Sequence, residues 1–191
     1  MGLKVIFITL FFMMFIGLMG ENIMGKSVEG VFRKFDSKEL KELKRLFPKR
    51  SVQGKHSFLF FFKKQKKEKQ KKVYFTSVIE DGTKSQFYLV KDRRISFKFP
   101  LTEDMKTWFL YEIKAVAFID MDFDDYVDVV IIQDFMTGIG RDGAKPFSIS
   151  TVYFNKKNGK FNYNKNIQKK IGSMTSVSKI YKYMKKKYRR K

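Results

Sequence analysis

Apolar residues follow different periods in successive parts of this chain. Residues 5–19 read VIFITLFFMMFIGLM, apolar but for Thr9 and without a charge, behind Lys4 and ahead of Gly20 and Gly25. A basic start, an apolar stretch of about 15 residues and small residues at its end are the parts of a secretory signal peptide. Residues 1–25 are therefore expected to form a signal peptide, cleaved after Gly20 or Gly25. The alternative is an uncleaved anchor, for which the stretch falls short of the roughly 20 residues of a spanning helix. Further on, in FRKFDSKELKELKRLFP, the residues Leu40, Leu43, Leu46 and Phe47 fall on one helical face. Asp36 or Ser37 can cap that helix and Pro48 ends it.

From residue 57 the pattern becomes one of strands. Aromatic and β-branched runs SFLFFF, VYFTSVI, QFYLV and ISFKF are separated by charged or Asp-Gly turns. They predict an antiparallel meander of about four strands, with its clearest hairpin at Asp81-Gly82. WFLYEIKAVAFI, VDVVIIQDF, SISTVYF and FNY continue the series. Near the C-terminus Val177, Ile180, Tyr181, Met184 and Tyr188 recur at helical spacing opposite lysines and arginines. Such a stripe packs on a sheet, with basic residues complementing the dipole at the helix C-terminus, or lies on an anionic membrane surface. The expected fold class is α+β. One antiparallel sheet of about seven strands is flanked by a short N-terminal helix and a basic amphipathic C-terminal helix. Residues 26–191 form a single domain, with a lysine-rich loop at 63–72 and a basic helix and tail at 176–191.

Composition sharpens this picture. Lysine and arginine outnumber acidic residues 41 to 19, a net charge of +22. That field attracts polyanions, so anionic lipid or wall polymer are natural partners, with nucleic acid placed last for an exported protein. Residues 63–72 hold seven lysines against one glutamate and are expected to stay extended by self-repulsion. The absence of cysteine excludes disulfides, thiolate metal sites, cysteine nucleophiles and a lipidated cysteine behind the export segment. His56 is the sole histidine, and no G-x-S-x-G accompanies it, which argues against a serine hydrolase. Gly138, Gly140 and Gly143 lack the spacing and following helix of a dinucleotide fingerprint.

Against that basic background, residues 120–128 read DMDFDDYVD, five aspartates in nine positions between the apolar runs AVAFI and VVII. Strand, carboxylate-lined turn and strand, at 115–132, is a layout suited to a cation. Asp120, Asp122, Asp124, the Tyr126 carbonyl and Asp128 occupy positions 1, 3, 5, 7 and 9 of the loop. Hard oxygen donors at that spacing wrap Ca²⁺, which accepts about six to eight of them. An EF-hand is excluded, because Ile131 stands where its glutamate is required and the flanks are strands in pattern. The competing interpretation is a solvated acidic turn balanced by nearby lysines.

The stretch resembles the calcium-loop repeats of the FG-GAP and VCBS type, whose core reads D-x-D-x-D-G-x-x-D ahead of an apolar strand. AVAFIDMDFDDYVDVVII with MTGIG, GAKPF and VYFN is also similar to a group of small exported bacterial proteins carrying one such motif. The resemblance covers residues 108–161, in a single copy, which a propeller of at least about four blades cannot use. Asp125 replaces the motif's glycine and is expected at positive φ, where Asp is tolerated. The resemblance implies an exported β-rich protein with a metal-stabilised loop and brings no activity. The expected function is thus a non-catalytic structural or interaction module of the cell envelope with a Ca²⁺-stabilised Asp loop and no catalytic residues. The alternatives are a polyanion-binding surface protein and an Asp-cluster metal-dependent hydrolase.

Overall fold

The structure is a computed structural model that describes residues 32–60, 73–137, 145–157 and 159–189. The expected signal peptide, the 63–72 loop and Gly138, Gly140 and Gly143 lie outside the described residues. Among the described residues, no helix is long and apolar enough to cross a membrane.

The chain is α+β, but its strands form two antiparallel sheets, of six and four strands, in place of the one sheet of about seven that the pattern predicted. The first sheet contains β1 (Phe32–Lys34), β2 (Ser51–Val52), β3 (Phe58–Phe60), β4 (Val73–Glu80), β5 (Lys84–Lys91) and β6 (Arg94–Lys98). Its order is β1-β3-β4-β5-β6, and β2 pairs with the far end of β4. After a short helix comes the second sheet. Its strands β7 (Phe109–Ile119), β8 (Asp128–Met136), β9 (Phe147–Asn155) and β10 (Phe161–Tyr163) are ordered β10-β9-β8-β7. The helices are α1 (Ser37–Leu46), α2 (Glu103–Thr107), α3 (Lys165–Ile171) and α4 (Val177–Tyr188).

Local chemistry sets these elements. Asp36 caps α1, accepting from the Glu39 N–H at 2.8 Å while the Glu39 carboxylate accepts from the Asp36 N–H at 3.1 Å, a reciprocal capping box. Asp81 and Gly82 both take positive φ, 55° and 71°, in the β4–β5 hairpin. Asn164 and Ser176 cap α3 and α4.

Packing divides into layers. Phe75, Phe87 and Leu89 of the first sheet meet Phe118, Val129, Ile131 and Tyr153 of the second in a shared core. On the outer face of the first sheet, Leu43 and Phe47 cover Val78, Tyr88 and Val90. On the outer face of the second, Ile167, Ile171, Val177, Ile180 and Met184 cover Val130, Ile132, Val152 and Phe154. The result is helix, sheet, sheet, helix. A strand between two covered faces has no solvent side, so β8 is buried at every position except Met136. Its continuous VVII run is the sequence trace of that double burial. Within the double layer the Gln133 side chain donates to Ser85 Oγ, one polar tie between the sheets. The apolar stripe of α4 is thereby used in packing, as one of its two expected roles required, and its lysines face solvent.

Candidate metal centre

The acidic loop joins the ends of β7 and β8, where Ile119 and Asp128 are register partners. Each end is fixed from below. Asp128 is buried, and its two carboxylate oxygens accept from the Met121 N–H at 2.8 Å and the Asn155 N–H at 2.9 Å. Asn155 returns its amide to the Val127 carbonyl at 3.3 Å. Met121 is fully buried in the core beneath α3 and α4.

Above this base the loop wraps on itself. Asp120 accepts from the N–H groups of Asp124 at 3.1 Å and Asp125 at 3.0 Å, and Asp124 Oδ1 accepts from the Tyr126 N–H at 3.0 Å. Two residues take left-handed backbone, Phe123 at φ 63° and Asp125 at φ 67°. Asp125 thus has the conformation expected where the motif carries glycine. For the bulky Phe123 the same region is strained. Its ring is held by Tyr181 of α4, at 5.9 Å between centroids, and by the Arg189 guanidinium, 4.6 Å from the ring centre.

Asp120, Asp122 and Asp124 are brought together, each half-buried, with one carboxylate oxygen from each lying within 4.8 Å of the others. Asp128 is not among this group: it stands under the loop with both oxygens engaged by N–H groups. The Tyr126 ring lies 5.1 Å from the Lys157 ammonium, which also sits 3.6 Å from Asp124 Oδ2. Sequence patterns missed Lys157 and Asn155, both beyond the loop; VYFN marked Asn155 only as part of a motif.

The electrostatics carry the cost of this crowding. Burial, then the Asp124 and Asp120 charges, push the Asp122 carboxyl up to about 6. Burial pushes Asp128 up to about 8 against the opposing N–H bonds from Asn155 and Met121. Burial also raises Asp120, again against backbone N–H donors. Asp122 Oδ1 is buried without a hydrogen-bond partner. An unpaired buried carboxylate oxygen is costly, and a proton, a water molecule or a cation relieves that cost.

The donor set suits a hard divalent ion. Two oxygens each about 2.4 Å from one Ca²⁺ stand at most about 4.8 Å apart, so this cluster is compact enough to share one ion. Three carboxylates supply the ligand charge, and backbone carbonyls or water complete such a shell. His56 lies elsewhere, half-buried in the 3₁₀ turn Gly54–His56, where burial and Lys55 lower its pKa. Compared with family models, curated proteins and solved structures, the chain matches none of them.

Proposed function

We propose that this chain is a non-catalytic, exported structural or interaction module of the cell envelope, with its 120–128 loop stiffened by Ca²⁺. The observation that carries the reading is Asp122 Oδ1, buried without a partner inside a cluster whose other carboxylates come within 4.8 Å. Among the described residues, the lysine ion-paired to that cluster is Lys157, 3.6 Å from Asp124 Oδ2. The motif-level resemblance to FG-GAP and VCBS loops adds support through Asp125, whose φ of 67° is the conformation glycine serves in that motif. In this reading Asp120, Asp122 and Asp124 hold the ion, with Tyr126 and Asp128 as the further ligands the spacing proposes. The ion supplies charge neutralisation and cross-linking between the β7 and β8 ends.

A folded-state ligand stabilises by RT ln(1 + [L]/Kd), about 2.7 kcal/mol at a hundredfold excess over Kd. Thermal melts of the full chain in excess EDTA and in millimolar calcium are expected to differ by several degrees, with a matching calorimetric binding heat. Asp122→Asn is expected to erase the difference. Identical melts in the two buffers, with no heat, would leave an acidic turn without an ion.

A second reading, a polyanion-binding surface protein, is favoured by the exposed Lys185, Lys186 and Lys187 in the last turn of α4 on a chain of net charge +22. Its signature is binding to anionic vesicles that weakens steeply with salt, as screening lengths fall from about 10 Å at 0.1 M to about 3 Å at 1 M.

A further inference from the structure

Residues 143–191 hold fifteen lysines and arginines and no acidic residue. The two helices of this stretch, α3 and α4, form the layer that covers the outer face of the second sheet. In α4 the buried Val177, Ile180 and Met184 face the sheet, and Lys179, Lys182 and Lys186 stand exposed on the opposite side. Lys169 is exposed in the same way on α3, opposite Ile167 and Ile171. We propose that this lysine face docks on the surface of an anionic lipid bilayer. Such docking rests on the polyanion reading: it names the partner and moves the contact from the last turn of α4 to the face of the whole helix layer.

Among the described residues, none of Lys169, Lys179, Lys182 and Lys186 makes an ion pair with a carboxylate. Their basic neighbours differ: Glu103 feels the charge of Lys165, and Lys187 and Arg189 lie over the rings of Tyr188 and Phe123. The opposite outer layer is built otherwise. On α1, Glu39 and Glu42 are interleaved with Lys38, Lys41, Lys44 and Arg45, and they pair with Arg33 and Arg93. Both α1 and α4 are amphipathic helices packed on a sheet, yet only α1 shows the mixed charge of an ordinary solvated face.

Helix physics does not account for the lysines of α4. Like charges at i,i+3 and i,i+4, as at Lys179–Lys182 and Lys182–Lys186, repel one another. Lys179 sits in the first turn, at the positive end of the dipole, where acidic residues are favoured. The dipole favours lysines only in the last turn, at Lys185, Lys186 and Lys187. An anionic surface relieves both costs, and lipid is the polyanion that fits. Lysines are compact point charges without the planar fork that reads base edges, and fluid phosphate headgroups can gather around such charges wherever they stand. Tyr181 and Tyr188 are half-buried against Phe123 and Phe154, so their rings are not free to stack bases. The apolar side of α4 is occupied by the sheet, so the contact is made at headgroup level without insertion. Residues 5–19 are expected to bring the chain to a membrane whether cleaved or kept.

The test uses the full chain and two variants. The face variant combines Lys179→Gln, Lys182→Gln and Lys186→Gln. The control removes equal charge from the opposite layer, with Lys38→Gln, Lys41→Gln and Lys44→Gln, all exposed on α1. Cosedimentation at physiological salt measures partition onto phosphatidylcholine vesicles with and without phosphatidylglycerol, and calorimetry measures binding of soluble polyphosphate. Vesicles without phosphatidylglycerol read any contribution of residues 5–19, which all three proteins share. Each lysine near an anionic surface raises partition by about fivefold. The phosphatidylglycerol-dependent partition is therefore expected to fall about tenfold or more in the face variant, and by less than about threefold in the control. Equal losses in the two variants overturn the docking face and leave a diffuse polyanion surface. Polyphosphate binding without phosphatidylglycerol-dependent partition overturns the lipid partner and leaves the polyanion reading standing. Binding of neither probe, even at low salt, overturns both. Circular dichroism melts of both variants check that the lost charge, and not the fold, is being read.

Discussion

Burial makes ionisation costly for Asp122 and Asp128. Their carboxyls lie above the ordinary aspartate value of 3.8, at about 6 and about 8. In that window the folded metal-free chain holds protons that the unfolded chain has released. The unfolding free energy of metal-free protein therefore falls as pH rises from 3.8 through about 8. In the proposed calcium-bound form the trend is expected to reverse, because the ion would bind the deprotonated carboxylates and its affinity would grow as they ionise. Melting temperatures across pH 5 to 8 are thus expected to decline in EDTA and to hold or rise in calcium. Asp122→Asn removes one of the crowded charges and is expected to raise metal-free stability at pH 8 by about 1 kcal/mol, a small part of the shift because Asp122 is only half-buried. A metal-free variant less stable than the wild type at that pH would sink the crowding argument. At this scale the loop was largely legible. Alternating aspartates placed three carboxylates together, and Asp125 at the glycine position announced its left-handed backbone. Lys157 was not legible, since its reach to Asp124 exists only once β9 pairs with β8, and Asp128 gave no sign that its oxygens would be engaged by the Met121 and Asn155 N–H groups.

The contact between the loop and α4 links the candidate ion site to a neighbouring element. Phe123 adopts φ 63° and its ring contacts both Tyr181 and Arg189, so strain in the backbone is offset by contact with the helix end. Phe123→Asn separates the two effects, because Asn tolerates that backbone and lacks the ring. Aromatic and cation–π contacts of this kind contribute about 0.5 to 1.5 kcal/mol. Hydrogen exchange of the amides in the last turn of α4 is expected to speed by about two- to tenfold in the variant, with β8 unchanged. Equal protection in the two proteins would mean that the ring merely rests on the helix. Element identity was read well from the sequence: every strand from β3 to β10 coincides with a run of aromatic or β-branched residues, and the Asp36 cap and Asp81-Gly82 hairpin were local signals. The short β1, β2 and α2 were missed, being too brief to carry a period. The division into two sheets was missed for another reason. Pairing β6 with β7 would have continued one sheet, and nothing local forbids it. The chain instead leaves through Pro100 and α2, and double burial of β8 was visible only as VVII, which a buried strand in one sheet covered by helices on both faces would also display.

Across the whole molecule, a strongly basic chain, of net charge +22, meets its acidic loop through a lysine from the far end of β9. Lys157 stands 3.6 Å from Asp124 Oδ2. In the proposed calcium-bound form the ion takes over the counter-charge that Lys157 supplies to Asp124, so the two cations compete. The size of that competition is bounded by the pair that is exchanged. A partly exposed ion pair contributes at most about 1 kcal/mol, so Lys157→Gln is expected to tighten calcium binding by about two- to fivefold. Calorimetric titrations of both proteins at low salt measure the gain, and it is expected to shrink at 1 M salt, where screening lengths fall to about 3 Å. Calcium affinity unchanged or weakened in Lys157→Gln at low salt would mean that the lysine does not compete with the ion, and would remove Lys157 as the link between the loop and the basic surface.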